Sequence, residues 1–302
     1  MILIDDVEIK TIGDNVSWNG SKDTVARTMS FTVLYVPEDT NFPKYQMKCG
    51  SKVQWVEGDK TLFIGYIKTL EYSTDGESVR VECVDLMIRL FKSKCVGRFS
   101  GTLKQIANNI CGLFGIQNGI ETDNTHVHNI VSTGDLTYYD VLKTACDSMF
   151  SRYCLYLDGV TLKIQKQDVI QTFTIGQNIR QSAFKQDLSD LVTKVLIIDN
   201  DGNLLNSVQD DASLKEFGLF QEVYTYSKDS KNNLAEAKEK LSPLANEATL
   251  VVNDDLNCMS GCFIRVIEPI NNFIGIFEIQ TDNHTIGADS VLEMEIEYVK
   301  AE

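Results

Sequence analysis

At 302 residues, with 43% hydrophobic and 24% charged side chains, the chain has the balance of a folded protein of two or three domains, which excludes a disordered or fibrous one. Its net charge of −15 argues against ordinary nucleic-acid binding, because affinity for phosphates comes from clustered Lys and Arg, and the densest basic run, Lys92 and Lys94 with Arg89 and Arg98, is short. No apolar run reaches the length of a membrane span, and Met1-Ile-Leu-Ile-Asp-Asp6 lacks the basic region of a signal peptide, so the expectation is a chain made and kept in the cytoplasm.

Residues 1–97 are expected to form a first β unit. Met1–Ile4 and Val7–Lys10 read as short strands, and Ser30–Val36, rich in β-branched and aromatic residues, as a strong one ended by Pro37. A loop follows from Glu38 to Met47. Lys52–Val56, a turn at Glu57–Lys60, Leu62–Ile67, Leu70–Tyr72, a turn through Asp75 and Gly76, and Ser78–Cys83 then alternate as antiparallel strands. Asp85–Phe91 leaves this sheet.

Residues 98–167 change character and predict a small α+β module. Thr102–Phe114 carries apolar residues at helical spacing, with Ser100 or Thr102 as cap and Gly115 as stop. A second helix is expected over Tyr138–Phe150, with Thr137 as N-cap and Asp140 as its reciprocal acid. Tyr153–Leu157 and Val160–Ile164 flank Asp158-Gly159, a strong hairpin signal.

Residues 168–302 predict a second β unit interrupted by one helix, Leu234–Leu241, which Pro243 ends. Strands are expected over Leu191–Ile198, Leu219–Tyr226 and Ala248–Val252. Phe263–Ile267, a turn at Glu268–Asn272, Phe273–Phe277, a turn around Asn283–Asp289 and Ser290–Glu297 then repeat the pattern of the first unit. Phe63-Ile64-Gly65 matches Phe273-Ile274-Gly275 at an offset of 210 (273 − 63), and Ser78-Val79 matches Ser290-Val291 at 212 (290 − 78). Gly65 and Gly275 sit inside strand patterns, where Gly marks a bulge or a bend. The expectation is one curved sheet or small barrel present twice.

Candidate chemistry is sparse. His126 and His128 form one of the few metal-like spacings, in a segment, Glu121–Thr133, that reads as a polar loop with Asp123 and Asp135 nearby. His284, the third histidine, reads as a solvated turn residue. Cys111 with His126 or His128 would be a conceivable nucleophile and base, but Cys111 lies beside the apolar stripe of a helix. Cys258 and Cys262 have ligand-like spacing without a second half. The eight cysteines, at 49, 83, 95, 111, 146, 154, 258 and 262, read as reduced small hydrophobes. No phosphate loop, nucleophile elbow or paired-carboxylate motif stands out, so no catalytic, cofactor or metal residue is assigned and no enzyme is expected. Gly101-Thr-Leu-Lys-Gln-Ile-Ala107 resembles the opening helix of peptidoglycan-binding LysM modules, without their Asp before Thr.

Taken over the whole chain, the order of Phe63–Ile67, Val79–Asp85 with Leu90, Gly101–Ala107, Tyr153–Ile164, Phe217–Tyr224, Gly275–Ile279 and Asp282–Thr285 resembles the PBSX-type (XkdQ/YqbQ-like) baseplate hub proteins of phage tails and tail-like bacteriocins. The resemblance implies a mainly β fold in which two tail-tube-like β-barrel domains, 1–97 and 168–302, flank the α+β module at 98–167. It further implies a homotrimeric, pseudo-sixfold ring joining the hexameric tail tube to the trimeric spike, with other baseplate proteins and the tape measure as further partners. No cofactor, specific nucleic-acid binding or membrane span is implied. An acidic lumen through which DNA slides fits the charge. A cell-wall-binding or cell-wall-hydrolysing tail protein, and an unrelated β-rich binding module, stand as alternatives.

Overall fold

The computed structural model describes residues 1–13, 16–22, 24, 26–36, 38–72, 77–122, 124–150, 153–166, 168–227 and 232–299. Pro37, the turn at Asp75-Gly76 and Asp123 lie outside the described residues.

The first third is all strand: β1 (Ile2–Ile4), β2 (Val7–Glu8), β3 (Val16–Ser21), β4 (Thr28–Leu34), β5 (Lys52–Glu57), β6 (Lys60–Tyr72) and β7 (Ser78–Asp85). The middle alternates: α1 (Met87–Lys92), β8 (Lys94–Thr102), α2 (Leu103–Phe114), β9 (Gln117–Asn118), β10 (Val127–Thr137), α3 (Tyr138–Asp147), β11 (Tyr153–Asp158) and β12 (Thr161–Lys166). The last part holds β13 (Val169–Thr174), β14 (Ile179–Asp187), β15 (Lys194–Ile198), β16 (Leu204–Gln209), α4 (Asp211–Phe217), β17 (Gln221–Thr225), α5 (Asn233–Glu239), β18 (Ala245–Asn253), β19 (Phe263–Glu268), β20 (Phe273–Ile286) and β21 (Val291–Tyr298). The protein is thus mainly β, as its alternating sequence predicts.

One 13-stranded sheet runs through the first and last thirds. Its first half orders the strands β3-β4-β7-β6-β5-β1, and its second half β14-β18-β21-β20-β19-β13. Mapped by chain order, these are the same path. The halves differ at one end, where β1 runs antiparallel to β5 but β13 runs parallel to β19. Alternation sets the buried face in both: Val79, Val81 and Cys83 of β7 are inside, and so are Leu292, Met294 and Ile296 of β21. Neither half closes into a barrel through pairings among the described residues. The outer edge of β3 is taken by β20 instead of by a strand of its own half.

A bulge fixes the true register of the repeat. Pairing of β6 with β7 slips between Ile67 and Thr69, and pairing of β20 with β21 slips between Ile279 and Thr281. The structural offset of the middle strands is therefore 212 (279 − 67), not the 210 of the Phe-Ile-Gly match. Gly65 stands opposite Val53, and its counterpart opposite Ile264 is Phe277, not Gly275. The two glycines answer different contacts. A Cβ on Gly65 would sit 2.2 Å from the Val84 carbonyl oxygen, whereas one on Gly275 would sit 2.6 Å from the Tyr298 ring.

The α+β module has its own core, in which Leu90 of α1, Leu103, Ile106 and Ile110 of α2, and Val141 and Leu142 of α3 are buried together with Leu155 and Leu162 of the β11–β12 hairpin. The core begins at Leu86, so the boundary expected at 97/98 falls inside β8. Both predicted helix starts carry complete capping boxes, Thr102 with Gln105 and Thr137 with Asp140. Gly115 ends α2 in the left-handed conformation at φ 68°. Two expectations need correction. α3 stops at Asp147, short of Phe150. The segment read as a polar loop contains β10, which pairs along β8 from Val127 to Thr137; it was missed because only one narrow face of it is buried.

The chain divides into two compact units, Met1–Ser182 with Thr249–Glu302, and Ala183–Ala248. The second is more than the single inserted helix that the sequence predicts. It holds α4, α5 and a separate three-stranded sheet, β16-β15-β17, whose strands pair with one another. Val195, Ile197 and Val208 pack there against Ala237 of α5. α4 escapes sequence reading because none of its residues is buried, leaving no apolar stripe; Asp210 caps it by accepting from the Ala212 and Ser213 amides.

Because its neighbour is backbone that holds a sheet together, Gly65→Ala is expected to lower stability by about 2–4 kcal/mol, read as a shift of the denaturant midpoint. An unchanged midpoint would show that the strand crossing at Gly65 is looser than described.

Candidate functional site: the seam between the two half-sheets

The halves meet where β20, beyond its bulge, pairs antiparallel with β3: Thr281 with Ser21, Asp282 with Gly20, Asn283 with Asn19 and His284 with Trp18. Alternation turns Asp282 and His284 inward, where apolar residues would be expected. The Arg27 guanidinium meets them from the connection between β3 and β4. Its Nη1 donates to Asp282 Oδ1 at 3.0 Å and its Nη2 bonds Oδ2, a two-pronged pair whose side chains are 9% and 0% exposed. The Ser260 amide donates to Asp282 Oδ1 at 2.6 Å.

His284 is the centre of this cluster, not a solvated turn residue; β3 covers it and its side chain is 0% exposed. Nδ1 lies 2.6 Å from an Asp254 carboxylate oxygen, and Nε2 lies 3.0 Å from the Cys258 carbonyl oxygen and 3.3 Å from Asp282 Oδ2. Each hydrogen-bonding partner of the two nitrogens is an acceptor, an arrangement that favours the imidazolium, in which both nitrogens donate. Burial opposes that charge, but the hydrogen bonds to Asp254 and Asp282 raise the His284 pKa above its ordinary value. Burial likewise opposes ionisation of Asp282, and the Arg27 charge with the bonds from His284 and Arg27 overrides it, holding the carboxyl well below the usual range. Trp18 roofs the cluster: Arg27 Cζ lies 4.0 Å from its ring centroid and the His284 ring 5.1 Å. Gly20 leaves the space, since a Cβ there would come within 2.3 Å of Arg27 Nη1.

A cavity of about 420 Å³ borders Arg27 and is lined by Lys22, Asp85, Lys143, Asp147 and Glu278 among others. Its cations are already matched: Lys22 to Glu278 at 2.8 Å, Lys143 to Asp147 at 2.8 Å, and Arg27 to Asp282. The buried Asp85 is pushed up to about 7 by desolvation, against hydrogen bonds to the Arg27 and Met87 backbone. The wall is a set of structural ion pairs around a protonatable acid.

The sequence candidates lie elsewhere and do not converge. His126 and His128 pack edge to face at 4.8 Å between centroids, but His128 is buried, with Nε2 3.3 Å from Met149 sulfur and Nδ1 3.3 Å from Ser148 Oγ. Burial and the neighbouring His126 lower its pKa. Asp135 is engaged in its own turn, accepting from the Thr133 amide at 2.9 Å. Among the described residues no group of three or more His, Cys, Asp or Glu could hold a metal ion. Cys111 is 1% exposed in the α2 core and burial pushes its thiol up to about 11; Cys146 is pushed up to about 12 and Cys262 to about 11. Thiols held protonated in this way are poor nucleophiles. The LysM-like residues Leu103, Ile106 and Ala107 are the buried face of α2, used for packing. Arg27, Asp254 and Asp282 went unread as site residues. The available signal was Asp282 and His284 two apart in a strand, polar at inward positions. Among the described residues no helix is long and apolar enough to cross a membrane.

A YQBQ-like family profile matches residues 16–298, nearly the whole chain, and the protein belongs to that family. No curated protein matches the sequence. Among solved structures, the fold is similar to the 43 kDa tail protein of prophage MuSo2 from Shewanella oneidensis, at 16% identity and a TM-score of 0.65, covering 98% of this chain and 96% of that one. It is similar to the tail protein from Neisseria meningitidis MC58, at 12% identity and a TM-score of 0.62, covering 98% and 94%. A third likeness is to the E. coli c3393 protein, a type VI secretion component described as similar to the T4 tail proteins gp27 and gp5, at 11% identity and a TM-score of 0.51, covering 99% and 77%.

Two outcomes test the seam. Arg27→Met strands a buried carboxylate and is expected to cost about 3–5 kcal/mol, most of it recovered in Arg27→Met/Asp282→Leu; equal losses in both variants would refute the pairing. His284, held above its ordinary 6.5, adds stability that is full below that pH and is lost as pH rises through the folded value. The denaturation midpoint should therefore fall on raising the pH from about 6 to about 9, and His284→Gln should flatten that slope.

Proposed function

We propose that this member of the YQBQ-like family is a structural baseplate hub, a trimeric ring that joins a sixfold tail tube to a threefold spike in a contractile phage tail or tail-like bacteriocin. The observation that carries this reading is the strand path occurring twice in one sheet, β3-β4-β7-β6-β5-β1 and β14-β18-β21-β20-β19-β13. Three chains with two such halves each offer six near-equivalent positions, which is what a threefold-to-sixfold adaptor requires. The halves 1–97 and 168–302 would be the two tube-like editions, with the 98–167 module and the 183–248 unit as elaborations. The likeness in fold to two tail proteins, one of them from a prophage, over nearly their full length supports the same reading. The net charge of −15 suits a lumen that must not grip DNA. Partners follow from the role: further copies of this chain, the tube protein, the spike and neighbouring baseplate proteins, within an assembled virion or released particle. The charges of the seam are paired inside the sheet and six of the eight cysteines are buried thiols, which supports a structural task over turnover of cell wall.

Light scattering of the purified chain, alone and with tube and spike proteins, is expected to give a mass of three copies in the complex, and averaged baseplate density should place the chain around the axis. A chain that stays monomeric with both partners present, or that releases muropeptides from purified cell wall, would overturn the proposal.

A further inference from the structure

The sheet contains one joint between its halves, and it also presents the two edges from which the same joint would be made again. Inside the chain, β3 covers the post-bulge end of β20, and the residues there, Asp282 and His284, are buried. The counterpart of that end is Thr69–Tyr72 of β6, at the structural offset of 212 (284 − 72). Among the described residues β7 alone pairs with it; β5 accompanies β6 only before the bulge. Tyr72 is 56% exposed where His284 is covered.

The counterpart of β3 is β14, which neighbours β18 as β3 neighbours β4 and, among the described residues, ends the strand path. Its register can be read from side chains. Lys185 reaches Glu247 at 3.1 Å and Gln186 reaches Asn246 at 3.0 Å, which sets Phe184 opposite Ala248. In β18, Ala248, Leu250 and Val252 are the buried positions, as Met29, Phe31 and Val33 are in β4. Trp18 stands opposite Met29. Phe184 is therefore the counterpart of Trp18, and it is 46% exposed.

We propose that β14 of one copy pairs antiparallel with residues Thr69–Tyr72 of β6 in a second copy, repeating between chains the joint that β3 and β20 make within one. This rests on the hub reading and names the contact that would close its ring. Copying the internal register sets Phe184 against Tyr72, Lys185 against Glu71, Gln186 against Leu70 and Asp187 against Thr69. An aromatic pair and an opposite-charge pair face each other across the new ladder, both of them stabilising cross-strand combinations. Two exposed edges would be consumed in each contact. Because the two edges are different surfaces of the chain, the contact is head to tail, and it closes into a ring only if each chain turns the path by one third of a circle.

The test is disulfide trapping. In a Cys49→Ser background, which removes the exposed native thiol, the chain carrying Glu71→Cys and Lys185→Cys together is oxidised as the assembled trimer and run without reductant. Bands of two and three linked chains, ending at three and absent from either single-cysteine variant, are the expected result. A trimer by light scattering that yields no such bands overturns the joint and leaves the hub reading standing. A chain that stays monomeric with tube and spike present overturns both. A ladder running past three linked chains overturns closure of the ring.

Discussion

The structure depends on the pairing of β3 with β20, two strands more than 250 residues apart in sequence (281 − 21 = 260). A β ladder between such distant segments is costly to close and easy to misregister, and a slip by one residue would turn Asp282 and His284 outward. The buried charges make that slip unaffordable. Arg27, which follows β3, meets Asp282 only in the observed register. A slip by two residues, which would keep Asp282 inward, would part the carboxylate from its guanidinium. An apolar seam could bind as tightly, but it would tolerate sliding. Here the ion pairs act as a register device, the best-attested use of buried charge, and Trp18 with Gly20 shapes the pocket that admits Arg27.

The repeated path shows what a sequence pattern can carry and where it misleads. Alternation in β5, β6 and β7, and again in β19, β20 and β21, was legible because each strand has one buried face. Capping boxes at Thr102 and Thr137 were legible because their chemistry is local. The Phe-Ile-Gly match was real in letters but two residues out of register, since the identity of a residue says nothing about where the bulge falls; Lys68 and Gln280, the extra residues, have no special character. The joint itself could not be read, because pairing of β3 with β20 leaves no local trace. For the same reason His284 looked like a turn residue: its surroundings are made by Trp18, Asp254 and Arg27, all distant in sequence. β10 was missed because a strand with one narrow buried face looks like polar loop.

The two halves also show where a repeated fold accepts change. The connection from β3 to β4 is short, residues 22–27, while the equivalent connection from β14 to β18 holds all of residues 188–244. A connection between neighbouring strands lengthens at little entropic cost, because loop closure grows only with the logarithm of length. The strand path around it is unchanged. At the opposite end of the path the halves differ again, β1 lying antiparallel and β13 parallel. Variation has therefore collected at the ends and connections of the path, while the central four strands keep order, bulge and buried face.

This division bears on symmetry. A ring of six identical sheets could match a sixfold tube but would offer a threefold spike no preferred orientation. Two editions in one chain, alike in the central strands and unlike in their attachments, would give both in the proposed ring of three chains: the shared path would repeat six times and the 183–248 unit three times. The internal joint and the proposed external one differ in the same spirit. Within the chain the seam is polar and locked by Arg27, Asp282 and His284; the corresponding positions between chains are Leu70 and Tyr72. A seam formed once, during folding, can bury charges that must find each other in a fixed register. A seam formed on assembly has to begin from two stable, solvated edges, and there aromatic and exposed charged residues, which cost little to leave in water, are the better choice.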